Sequence, residues 1–71
     1  MKLWLLYQEV NDGWDTYDSA VVAALTEDEA RRTEVGSGST WAAPEHVHVR
    51  WIGDAAPGVK AGVICASFNA G

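Results

Sequence analysis

Three aspartates at every third position, Asp12, Asp15 and Asp18, are interleaved with Trp14 and Tyr17 in the run DGWDTYD. Carboxylates in that number could hold a hard cation, decorate a turn, or belong to a surface read by a partner. A calcium loop needs acids at alternate positions, a glycine between them and a bidentate Glu at its end. Here rings interrupt the spacing and no Glu follows, which disfavours a metal. Two readings stay open. In one, Asp12 belongs to the turn while Asp15 and Asp18 are solvated, as most loop acids are. In the other, Trp14 and Tyr17 are contact anchors and the acids meet Arg or Lys on a partner protein. Acids along an edge can also stand where phosphates would lie in a nucleic-acid groove, giving a decoy for a DNA-binding surface.

Other reactive side chains are sparse. His46 and His48 share one face of an expected strand, but no third ligand follows by spacing, and Arg50 on that face repels a cation. Cys65 is the single cysteine, so an intrachain disulfide and a cysteine metal cage are both excluded. It lies between Ile64 and Ala66, an apolar setting that dulls a thiol. GSGST at 36–40 follows a helix and lacks the lysine of a phosphate loop. The expectation is a protein without catalytic residues, metal or cofactor.

The elements that position these residues are short. Lys2 to Val10 reads as a strand, with Leu3, Leu5 and Tyr7 on one face and Trp4, Leu6 and Gln8 on the other. Both faces are apolar, as in a central strand. Asn11-Asp12-Gly13 is a hairpin turn, and Tyr17 to Ala24 is the second strand. Thr26 with Glu29 three residues on is a capping box, and Glu27, Asp28 and Glu29 suit the positive end of a helix over Glu27 to Glu34. Arg31 and Arg32 fall at its other end, and Ala30 and Val35 are its apolar contacts. Residues 36–44 read as a flexible loop. His46 to Ile52 is a third strand, with Val47, Val49 and Trp51 inward, and Ala61 to Phe68 a fourth. The order is ββαββ, two hairpins joined by one short helix. The fold class is α+β, a small, mainly antiparallel four-stranded sheet packed on that helix.

Seventy-one residues make one domain, 1–71, of a size that buries only about 60% of its unfolded surface. A net charge of -5 argues against direct contact with nucleic acid and for a partner with a basic surface. Four Trp, two Tyr and one Phe exceed what so small a core can bury, so some rings are expected outside, where they could form a homodimer interface. No stretch is long and apolar enough to cross a bilayer, LWLLY is too short for a secretion signal, and a lone thiol suits a reducing compartment. The expected location is a reducing cytoplasm.

Three segments together, LWLLYQEVNDGWDTYDSAVVAA, TEDEARR and GVICASFNAG, resemble a family of short, mostly uncharacterised proteins encoded by bacteriophages and prophages. The likeness covers roughly the first 32 residues and the last ten, and the middle, Thr33 to Pro44, departs from it. Combined with small size and acidity, the resemblance implies an anti-CRISPR protein. It would bind an effector complex stoichiometrically and block target DNA binding. Asp12, Asp15 and Asp18 would bring charge, Trp14 and Tyr17 packing, and Glu27, Asp28 and Glu29 a second acidic patch. The alternative is a small structural or accessory phage protein acting through homo-oligomer or other protein contacts.

Overall fold

The computed structural model describes residues 1–10, 13–36 and 40–69. Four strands, β1 (Lys2–Tyr7), β2 (Thr16–Ala24), β3 (His48–Asp54) and β4 (Gly62–Asn69), form one antiparallel sheet in the order β3-β1-β2-β4. A five-residue helix, α1 (Glu27–Arg31), follows β2, and a 3-10 turn, Pro44–His46, precedes β3. The α+β class holds, and β1 is central, as its two apolar faces require.

The second hairpin does not exist. β3 and β4 follow each other in the chain but occupy opposite edges of the sheet. From the end of β2 the chain rises through α1, crosses over β1 and returns as β3 on β1's far side. That route seats α1 over Trp4 and Leu6, which pair with Val22 and Ala20 and share their face. Leu6 and Val22 are fully buried there, beside Ala24 and Ala30.

α1 itself contributes little apolar surface beyond Ala30. Much of the covering layer comes from the expected flexible loop, where Trp41 and Ala42 are buried, joined by Val47 beyond it and by Val35, which packs against the cluster. Trp41 therefore closes a core that the helix is too small to close. Gly36 makes this possible: an added Cβ would meet Thr40 Oγ1 and stand 2.9 Å from the Tyr17 ring.

Most boundaries differ from expectation by one to three residues, β3 also running on to Asp54. β1 ends at Tyr7, because Asp18 bulges from the β2–β4 ladder and Gln8 turns to bind the backbone at Tyr17 and Asp18. α1 stops at Arg31, where Thr33 Oγ1 donates to the Glu29 carbonyl and Thr33 N–H to that of Ala30. β3 starts at His48, leaving His46 in the 3-10 turn. Trp51 was expected inside and is 57% exposed. Five residues of helix span only about 7.5 Å, so α1 covers Val49 and not Trp51. A register shift opposite Leu3 and Trp4 adds to this, and Lys2 Nζ lies 6.0 Å from the Trp51 ring centre.

Candidate partner-binding surface

The β1–β2 connection is built to hold a ring in solvent. Thr16 Oγ1 donates to the Gly13 carbonyl at 2.7 Å, closing the turn. Asp15 takes φ of 61°, a left-handed conformation that Asp and Asn tolerate better than other side chains. Its N–H donates to the Asn69 carbonyl, tying the turn to the end of β4. Gln8 Nε2 braces the other side, donating to the Tyr17 carbonyl at 2.7 Å. On this frame Trp14 is 77% exposed, the most open of the large apolar side chains.

Asp15 and Asp18 are exposed beside it, and Ser19 Oγ donates to Asp18 Oδ1 at 3.2 Å. Tyr17 differs from its neighbours. It is half-buried, packs on the core and meets Phe68 at 4.8 Å between ring centres, the planes tilted by 58°. Much of its ring is engaged by these internal contacts. Asp12 lies outside the described residues.

The helix acids belong elsewhere. Glu27 pairs with Arg31 at 3.3 Å and Asp28 with Arg32 at 3.0 Å, each one turn apart. Glu29 Oε2 accepts from Leu25 N–H at 3.3 Å while Thr26 Oγ1 accepts from Glu29 N–H, a capping box displaced by one residue. The nine residues of β2 separate these acids from Asp15, about 30 Å at the usual strand rise. Local pairing cancels most of their charge at contact range. Trp14, Asp15 and Asp18 are thus exposed around the start of β2, whereas Glu27, Asp28 and Glu29 follow its other end.

Two residues escaped notice in the sequence. Phe68 backs the Tyr17 ring, and Asn69 receives the Asp15 amide through its main chain. A main-chain acceptor carries no residue-type signal, so only the strand pairing reveals it.

Elsewhere, a cleft at the Tyr7 end of β1 is lined by Glu9, Arg31, Glu45, His46 and His48. Arg31 is committed there, donating to the Val47 carbonyl as well as to Glu27. His48 stacks on Tyr7 at 4.8 Å and 19°. Among the described residues no three His, Cys, Asp or Glu side chains converge as a metal site. Cys65 is exposed on β4, contrary to the enclosed apolar setting its neighbours implied. Of the four tryptophans, Trp4 and Trp41 fill the core while Trp14 and Trp51 stay outside, so the aromatic surplus is real. No described helix is long and apolar enough to cross a membrane. No family model, curated protein or solved structure matches the chain.

Proposed function

We propose that this chain is a binding protein that presents the Trp14 turn, with Asp15 and Asp18 beside it, to a basic protein surface. The carrying observation is the 77% exposure of Trp14 on a turn braced by Thr16, Gln8 and Asn69. A large ring held in water loses little conformational freedom on docking, and Trp is enriched where interfaces draw most of their energy. Flanking carboxylates steer it toward arginines and lysines, with a salt-sensitive association rate.

The net charge of -5 supports the same direction of approach. With the likeness of three segments to phage-encoded proteins, it favours an anti-CRISPR inhibitor as the specific form of this activity. PAM-reading and heteroduplex-holding surfaces are built from Arg and Lys. An acidic turn with a protruding indole would occupy such a groove by complementarity, without turnover.

The test is capture of partners from the host bacterium with the wild-type chain and with Trp14→Ala, followed by competition against target DNA. Trp14→Ala is expected to weaken capture by at least about 30-fold, the loss usual for a central anchor. Charge is best removed by Asp15→Asn with Asp18→Lys. Lysine at 15 would add backbone strain at φ 61° and confuse the readout. Undiminished inhibition by that double variant would end the acidic-decoy mechanism, and undiminished capture by Trp14→Ala the turn's role altogether.

A further inference from the structure

We propose that the outer edge of β4 is a self-association seam, on which a second copy of this chain docks by antiparallel β4–β4 pairing. Natural sheets protect an exposed edge with charge, proline or a bulge. β3, at one edge, has Arg50, Asp54 and a register irregularity. β4, at the other, reads GVICASFN, eight residues with neither charge nor proline. Its ladder with β2 shifts twice, opposite Asp18 between Ser67 and Phe68 and again between Val63 and Cys65, and neither shift brings charge or proline to β4. α1 packs over β1, β2 and β3, so β4 is exposed on its faces too: Val63 41%, Ile64 50% and Phe68 46%.

Charge selects the occupant. Each other strand carries an ionised side chain, Lys2, Asp18, or Arg50 with Asp54, whereas residues 61–71 hold none of the chain's five bases and ten acids. Two copies at net charge -5 repel over most of their surfaces and meet without like-charge contact along this strand. A charged peptide would find nothing here to recognise. Antiparallel pairing is self-complementary under a two-fold axis, so the strand needs no other sequence to complete it. The symmetry forces one residue to face its own copy, and the strand's middle places that residue at Cys65 or Ala66. An edge of eight residues falls among small interfaces, those below about 1,200 Å² in total, so association is weak and concentration-dependent. Because Asn69 holds the Asp15 amide, each β4 carries its own Trp14 turn to an opposite end of the seam.

Sedimentation of the isolated chain from about 1 to 200 µM, the range of a weak interface, reads the seam directly. A dimer growing with concentration, and its capture through Cys65 by a short bis-maleimide, are the expected results. Ile64→Lys and Ser67→Lys each reduce the net charge and would ease general repulsion, yet each is expected to weaken the dimer at least tenfold. Ile52→Lys on the β3 edge, with the same charge change as Ile64→Lys, and Trp14→Ala should leave it intact, so failure here is separable from failure of the Trp14 reading. Circular dichroism confirms that the lysine variants fold. If either does not, concentration-dependent protection of the β4 amides in wild-type hydrogen exchange decides. A monomer throughout the range, unprotected β4 amides, or a dimer indifferent to both lysines would overturn the proposal.

Discussion

Gly36→Ala probes the contact that closes the core behind the acidic turn. A Cβ at Gly36 would stand 2.9 Å from Cδ2 and Cε2 of Tyr17, where ordinary contacts begin at 3.4 Å, an overlap of 0.5 Å. It would also collide with Thr40 Oγ1, the nearest atom to the added carbon. The Tyr17 ring cannot retreat easily, because Phe68 and the core hold its other side. Overpacking of this kind costs about 1–3 kcal/mol. Replacing glycine returns about 0.4–1 kcal/mol by restricting the unfolded chain. The expected net loss is about 1–2 kcal/mol, a fall in melting temperature of roughly 4–16 °C for a domain this small. Urea unfolding followed by circular dichroism should show a lower midpoint at unchanged slope. Repeating the change in a Tyr17→Ala background should remove the ring's share of the penalty and leave that of Thr40, a coupling of at least about 0.5 kcal/mol. Neutral Gly36→Ala, or the same loss with the ring already gone, would refute the packing of Gly36 against Tyr17.

Two buried tryptophans should answer differently to phenylalanine. Trp4 Nε1 donates to the Ala24 carbonyl at 3.1 Å, so Trp4→Phe loses a buried bond and is expected to cost about 1–3 kcal/mol beyond the volume change. Trp41 Nε1 is buried without a partner among the described residues, so Trp41→Phe should be milder, the lost volume being offset by removal of an unsatisfied donor. Parallel urea melts of the two variants rank them. Thr26→Ala should lower stability by about 1 kcal/mol through loss of the Glu29 N–H acceptor, again read by urea midpoint. Asp28→Ala, breaking an ion pair whose side chains are both 70% exposed, should change the midpoint by less than about 0.5 kcal/mol.

Whatever depends on neighbours in the chain was legible beforehand. Alternation in KLWLLY marked a strand apolar on both faces, and Thr26 with Glu29 marked a helix start, because both signals span at most a few residues. The counting of aromatic rings likewise showed that some must remain outside, since it needs only the size of the domain. Tertiary structure alone decided which rings those are. Trp41 looked like part of a Gly-Ser linker and became a core residue, because α1 is too short to cover β1 and something adjacent had to. Trp51 had the spacing of a core residue and lost its place to the same shortness. Strand order was equally invisible: any antiparallel pairing of four short strands satisfies their local patterns, and only crossing of α1 over β1 sends β3 and β4 to opposite edges. The parting of the acids needs no such choice, since the extended β2 alone sets Asp15 and Glu27, Asp28 and Glu29 at its two ends. Local free energies fix the elements, while the partner each element finds depends on burial shared between residues far apart in the chain.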